Sequence, residues 1–477
     1  MSKKQLFSGF QGVSKADWKN KIEKDLKGKP YLDLCGTNGA NIEVEPVYNN
    51  EDIEVNDDSP GSGDFRRGSK TINNDWTIDE VIELSENPKK DNEQILKILN
   101  EGLGALTLSG NSSVQTLNKI LPEYVSLGFV NYSNLNETIN QVKEAFGNEK
   151  NDYSIYLNYD PIGLAALNGF WNRNDELDLG SNSFNSLTNY SGARTFSVAG
   201  HNYHNAGGNA VSELAFTLAH AHEYLVHIMS TGLTIDQASA QIKVDLASGG
   251  DYFLEIAKIR AFRMLWARLI ETYSPEHNCS KSVIIHSQTS QFLSTLYDPY
   301  VNMLRATTQA MSAVLGGCDI LRVLPYNTAW KKGDDFSKRI ARNVQLLLKE
   351  ETYFEKVIDP SGGSYYIETL TNELGEKAWE KFKKIEKKGG FIGLMDSGNL
   401  DRELKEDAQV QLAKLDSGET NVLGVTLFPN TEDKMINELS ALTNLEEKKP
   451  DFKPIELIRL VGKLEETRLE KELEGNK

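Results

Sequence analysis

Residues 243–265 read Lys-Val-Asp-Leu-Ala-Ser-Gly-Gly-Asp-Tyr-Phe-Leu-Glu-Ile-Ala-Lys-Ile-Arg-Ala-Phe-Arg-Met-Leu. Lys243 to Ala247 is a short β-like run, and Phe253, Ala257, Ala261, Met264 and Leu265 then recur at the 3.6-residue spacing of a helix face. The same strand-then-helix texture extends in both directions. Candidate strands are Gly104 to Leu108, Leu127 to Tyr132, Tyr153 to Leu157, Ala193 to Ala199, Lys243 to Ala247, Ser282 to Ser287, Cys318 to Leu324 and Ser364 to Ile367. Another helical stripe, Phe336, Ile340, Val344 and Leu347, follows the acidic start Asp334-Asp335. Eight strands alternating with helices predict an α/β fold of (β/α)8 TIM-barrel type, with a doubly wound sheet as the alternative.

Around this barrel, predicted over 76–395, the texture differs. Residues 1–75 are turn-rich, with Pro30, Pro46, Pro60 and the cluster Gly61-Ser62-Gly63, and predict an extended arm with one short helix near Lys15 to Leu26. Residues 396–477 are polar and charged and predict a helical linker or docking tail, with helices near Leu400 to Leu415 and Pro454 to Leu473. The arm cannot bury a core alone, so its apolar residues Leu6, Phe7, Phe10 and Trp18 are expected to need another surface.

The chain has 477 residues with 52 Lys+Arg and 69 Asp+Glu, a net charge of −17. Such a surface repels phosphate backbones, which argues against nucleic acid and anionic membranes as partners. No apolar run approaches the roughly 18–20 residues that cross a bilayer, and the first residues lack a signal peptide's apolar stretch, so a cytoplasmic location is expected. Cys35, Cys279 and Cys318 are far apart, with no Cys-x-x-Cys; three buried reduced thiols are expected, and no metal site. His222 and His227, five positions apart, would point about 140° away from each other on one helix, against a shared ion.

The strand ends are unusual for a barrel interior: Leu-Thr-Leu-Ser-Gly (106–110), Phe-Ser-Val-Ala-Gly (196–200), Asp-Leu-Ala-Ser-Gly (245–249) and His-Ser-Gln-Thr-Ser (286–290). If Ser197, Ala199, Ser287 and Thr289 point inward, the axis is small and polar and a thin substrate could thread it; equally, they could form the open mouth common to most barrels. The densest polar run, His201-Asn202-Tyr203-His204-Asn205-Ala206-Gly207-Gly208, follows a strand, where barrels keep their chemistry. His204 or Tyr203 could move protons there, although Gly207-Gly208 and Asn209 are also ordinary turn and cap residues.

Several stretches together resemble the barrel of the methylmalonyl-CoA mutase family over about 76–430. They are Asp-Phe-Ser-Lys-Arg-Ile-Ala-Arg-Asn-Val-Gln-Leu (335–346), Ile-Arg-Ala-Phe-Arg-Met-Leu-Trp-Ala (259–267), Gln-Thr-Ser (288–290) and Asp-Pro-Ser-Gly-Gly-Ser-Tyr-Tyr-Ile-Glu (359–368). The resemblance implies a barrel axis that admits the pantetheine arm of an acyl-CoA, with substrate-channel candidates His201, Asn202, Ser197, Ser287, Gln288 and Thr289. It also implies isomerisation of methylmalonyl-CoA and succinyl-CoA with adenosylcobalamin, held by a C-terminal domain carrying Asp-x-His-x-x-Gly.

Departures from the family pattern accompany the likeness. None of the seven histidines has an aspartate two residues before it, and the residues after Phe428 leave no room for the cobalamin domain. Active chains read Ser-Gly-Tyr-His-Met-Gln-Glu-Ala-Gly where this one has Ala199 to Gly207, placing Asn202 at the catalytic histidine. They read Arg-Pro-Trp-Thr-Ile-Arg-Gln-Tyr where this one has Asn74 to Val81, placing Val81 at the active-site tyrosine. Asn202 cannot protonate as imidazole does, and Val81 has no hydroxyl. The resemblance therefore implies the small, non-catalytic subunit of a heterodimeric mutase of propionate metabolism, whose large catalytic subunit holds adenosylcobalamin, with none on this chain. Asn202 and Val81 are expected to face each other across the barrel mouth. The alternative is an acyl-CoA mutase barrel that is active with a separate small cobalamin-binding protein.

Overall fold

In the computed structural model, residues 12–53, 58–435 and 450–475 are described. A two-stranded antiparallel pair, β1 (Gly36–Thr37) and β2 (Glu43–Val44), stands apart from a closed parallel barrel. The barrel strands are β3 (Thr77–Glu83), β4 (Ala105–Ser109), β5 (Ser126–Val130), β6 (Ile155–Tyr159), β7 (Arg194–Ala199), β8 (Ile242–Ser248), β9 (Ile284–Thr289) and β10 (Ile320–Arg322), and β10 pairs with β3 to close the ring. Closure fixes the TIM-barrel reading and removes the doubly wound alternative.

Strand parity divides the barrel's residues. Leu106, Leu108, Leu127, Phe129, Val198, Val244, Leu246 and Ile285 are buried in the main hydrophobic core. The alternate set, including Asp79, Thr107, Ser197, Lys243, Asp245 and His286, lines a cavity on the barrel axis. The helices Ala210–Ser230 and Tyr252–Glu271 cover the outward set, and Leu214, Leu218, Ala257, Ala261 and Leu265 are fully buried.

Two elements differ from the sequence reading. The run Ser364 to Ile367 is not a strand: Ser364 is the N-cap of the helix Tyr365–Lys387, and Ile367, Leu370, Leu374, Ala378 and Phe382 continue its buried stripe against the helices Tyr252–Glu271 and Ala210–Ser230. Four residues of aromatic and β-branched character imitate a strand until the 3.6 periodicity behind them is counted. The missing eighth strand is Thr77–Glu83, whose inward positions carry two charges, Asp79 and Glu83, around Val81.

The helical stripes also need correction. Phe253, Phe336 and Leu347 are exposed, and the helix Asp335–Leu346 instead buries Ser337, Ala341, Arg342 and Gln345. The last helix is Gly462–Gly475, and Pro454 lies in irregular chain before it. Of the three free cysteines, Cys318 is buried, Cys35 partly buried and Cys279 exposed, so the expectation of three buried thiols holds for Cys318 alone.

The arm is pinned where it meets the barrel. Arg67 Nε donates to Asp359 Oδ2 at 3.0 Å, and Lys70 Nζ donates to the Cys318 carbonyl at 2.7 Å. Arg260, fully buried, pairs with Asp359 and, through Nη2 at 2.5 Å, with Glu368, and so holds the Asp359-Pro360 turn. The helix Lys15–Asp25 has no buried residue and leaves Trp18 exposed; Leu6, Phe7 and Phe10 lie outside the described residues.

Beyond residue 396 the described chain packs on its own barrel. Ile458 N donates to the Asn205 carbonyl and Leu460 N to the Phe292 carbonyl, both at 2.8 Å, and Phe292, Leu415, Val422, Leu460 and Val461 form a separate apolar cluster. No helix among the described residues is long and apolar enough to cross a membrane.

Candidate functional site

The parity that leaves charged and small side chains inside the barrel also builds its axial cavity, of about 310 Å³. Its floor lies at the strands' N-terminal ends, where Ala105, Tyr156 and Ile320 are buried in one cluster with Ile284 packed against it. Lys243 Nζ sits 5.9 Å from the centre of the Tyr156 ring, above that floor. The wall narrows at Gly128, where a Cβ would lie 2.9 Å from Thr107 Oγ1 and 3.0 Å from Asn158 Nδ2.

Two aspartates organise the middle of the cavity. Arg322 Nε donates to Asp79 Oδ2 at 2.7 Å, Thr107 Oγ1 donates to Asp79 Oδ1 at 2.9 Å, and His286 Nε2 lies 3.3 Å from Asp79 Oδ2. The other His286 nitrogen, Nδ1, is 2.5 Å from Asp245 Oδ1, which also takes Lys243 Nζ at 2.5 Å, while Ser197 Oγ donates to Asp245 Oδ2. His286 therefore bridges two carboxylates, Asp245 on the neighbouring strand β8 and Asp79 on β3 beyond β10, and each carboxylate has its own fixed cation. Burial opposes ionisation of Asp79, but Arg322 and His286 outweigh it and hold the carboxyl well below the usual range. Burial likewise opposes ionisation of Asp245, and Lys243, His286 and His201 hold it low. Burial pushes His201 down to about 4, leaving it neutral at pH 7.

The sequence-derived candidates divide by parity and by loop position. Ser197, Gln288 and His201 line the cavity, as does Val81. Ser287 and Thr289 do not: they alternate with His286 and Gln288, so their inward orientation is corrected, and Thr289 Oγ1 instead accepts the Leu324 N–H at 2.9 Å. Asn202 lies in the short helix His201–Asn205 and does not line the cavity; the preceding His201 occupies the wall opposite Val81's strand. Gly200 makes that turn possible, since a Cβ there would meet Thr217 Oγ1 at 2.2 Å and the Asp245 carbonyl at 2.9 Å. Asp79, Lys243, Asp245, His286 and Arg322 escaped the sequence reading. The signal for them is charged or polar side chains at alternate strand positions, as in Lys243-x-Asp245 and His286-x-Gln288.

His204, His220 and His222 are held by hydrogen bonds to neighbouring hydroxyls. His204 Nε2 is 2.7 Å from Ser290 Oγ, His220 Nδ1 is 2.8 Å from the Tyr203 hydroxyl, and His222 Nε2 is 2.6 Å from the Tyr273 hydroxyl. Asn209 caps the helix Ala210–Ser230 by accepting the Ser212 N–H at 3.0 Å. A second buried charge group stands outside the barrel: Lys258 Nζ is 2.6 Å from both Glu213 and Glu255, and burial raises Glu213 to about 7 despite Lys258.

These residues do not fit a cobalamin. His201 Nδ1, buried without a hydrogen bond, lines an axial cavity of about 310 Å³, too small to take a corrin ring. The segment around Ile458 and Leu460 covers the loops after β7 and β9 at the C-terminal face of the barrel. No group of three or more His, Cys, Asp or Glu that could hold a metal occurs among the described residues.

Residues 182–468 match the methylmalonyl-CoA mutase family. A protein named methylmalonyl-CoA mutase small subunit from Porphyromonas gingivalis is 33% identical over 444 residues, spanning 90% of this chain and 72% of that protein. Its namesake from Propionibacterium freudenreichii subsp. shermanii is 30% identical over 451 residues, 89% of this chain and 70% of that protein. A methylmalonyl-CoA mutase from Rhizobium meliloti is 39% identical over 245 residues, but this chain covers only 34% of its length.

Proposed function

We propose, because the chain belongs to the methylmalonyl-CoA mutase family, that it is the small, non-catalytic subunit of a two-chain mutase. In this reading a large subunit binds adenosylcobalamin and isomerises methylmalonyl-CoA and succinyl-CoA in propionate metabolism. This chain forms a heterodimer with it, and contributes a folded barrel and an arm.

The observation that carries the reading is the state of the barrel axis. A pantetheine arm needs an open path along the axis, and here Tyr156, Ile284 and Ile320 meet at one end while Asp79, Arg322, His286, Asp245 and Lys243 brace the middle. Opening that path would separate buried charges from their partners, at a cost of several kcal/mol for each pair. Val81 and Asn202 offer neither a phenol nor an imidazole for substrate chemistry.

The test is co-expression with a large mutase subunit and purification through a tag on this chain alone. A stoichiometric complex whose turnover survives Val81→Ala and Asn202→Ala here supports the reading. Failure to retain the large subunit, or loss of turnover with either variant, overturns it.

A further inference from the structure

The charged groups that brace the axis are consumed by one another, and what remains free in the cavity is of a different kind. We propose that the barrel mouth is a cup that binds a small uncharged ligand carrying amide or hydroxyl groups, and that it rejects anions of the same size. This goes beyond the subunit's structural role and stands on the cup's own geometry.

The floor formed by Ala105, Tyr156, Ile284 and Ile320 leaves the C-terminal mouth as the way in. About 310 Å³ above that floor is enough for a compact organic molecule. Arg322 and Lys243 are already bound to Asp79 and Asp245, so neither cation is free to meet a ligand's charge in full. The lining carboxylates Asp79, Glu83, Asp160 and Asp245 outnumber those two lysine and arginine cations, which disfavours an entering anion.

The groups left over are neutral. His201 Nδ1 and Asn158 Oδ1 are buried with no hydrogen-bond partner among the described residues, and both side chains line the cup. Buried polar atoms in this condition cost stability unless something satisfies them. Gln288, also in the lining, uses its Oε1 only for a 3.4 Å contact from Arg322 Nη1. A neutral imidazole and two carboxamides offer both donors and acceptors, which complements an amide or a hydroxyl better than a carboxylate, which can only accept. His201 is held neutral by burial, with its pKa at about 4, so it adds no positive charge at pH 7 to attract an anion.

The experiment uses the full chain and two probes of the same skeleton, glutaramide and glutarate, followed by saturation-transfer NMR. Glutaramide should bind saturably, and glutarate at least about tenfold more weakly, since two like-charged carboxylates would enter a cup already rich in carboxylate. Gln288→Leu removes a neutral partner, and Ala199→Phe fills the mouth; each should abolish the glutaramide signal while the chain still melts cooperatively. Equal or tighter binding of glutarate overturns the proposal, as does absence of saturable glutaramide binding. Binding that survives both variants also overturns it, because the ligand then lies elsewhere. If Ala199→Phe does not fold, Gln288→Leu and the comparison of the two probes on the unaltered chain decide the matter. A chain that proved catalytic would leave these outcomes unchanged, so the proposal and the subunit reading fail separately.

Discussion

Arg322→Met isolates the charge pair between the neighbouring strands β10 and β3. Arg322 reaches Asp79 through Nε at 2.7 Å, and its Nη2 donates to Thr107 Oγ1 at 2.8 Å. Asp79 is only 4% exposed, so solvent cannot replace the guanidinium. Removing one partner of a buried pair costs about 3–5 kcal/mol, and the lower end applies because His286 Nε2 remains 3.3 Å away. The pH dependence has a definite sign. The folded carboxyl of Asp79 lies below its ordinary value of 3.8, so its stabilisation is present above that value and is lost as the pH falls through the folded one. In the variant, burial raises the carboxyl, and its protonation relieves the penalty, which is therefore largest near neutrality and smaller at about pH 4.5. Adding Asp79→Leu removes the stranded charge and should recover most of the loss. Urea unfolding followed by far-UV circular dichroism measures all three. A loss below about 1 kcal/mol for Arg322→Met, or a double variant as unstable as the single one, refutes the reasoning.

Further outcomes follow from the rest of the molecule. Burial raises Glu213 from 4.5 to about 7, so the folded state binds the extra proton and this group's contribution falls as pH rises through that window; Glu213→Gln should flatten the decline in urea midpoint. Leu374, with no exposed surface between the helix Tyr365–Lys387 and its neighbours, should cost about 2–5 kcal/mol as alanine, checked by the same unfolding measurement. Gly200→Ala forces a Cβ against the Asp245 carbonyl and should cost about 1–3 kcal/mol; a variant as stable as the parent would mean that the turn yields.

The sequence made the barrel legible because most of its strands bury aliphatic residues on their outward face, as in Leu106 and Leu108 or Val244 and Leu246. Thr77–Glu83 hid because its inward Asp79 and Glu83 look like solvated charge until Arg322, some 240 residues away, supplies the partner of Asp79. Conversely, Ser364 to Ile367 looked like a strand because its aromatic and β-branched residues precede the helical stripe that gives them their real context. The interior was partly legible. Ser197 and Ala199 line the cavity, one of the two placements their size left open, but His-Ser-Gln-Thr admits two parities, and only the pairing of β9 with β8 and β10 puts His286 and Gln288 on the axis. Apart from Lys243–Asp245, the ion pairs that brace that axis join residues far apart in sequence, a relation that no local pattern carries.

The central claim is that this chain supports a mutase without performing its chemistry. The direct measurement is isomerisation of methylmalonyl-CoA in the presence of adenosylcobalamin, with the purified chain alone and then titrated into a large catalytic subunit. The account predicts no turnover and no cobalamin binding by the chain alone, and activity that saturates at one small subunit per large one. Turnover by the chain alone, or by the chain with a separate small cobalamin-binding protein, would contradict it.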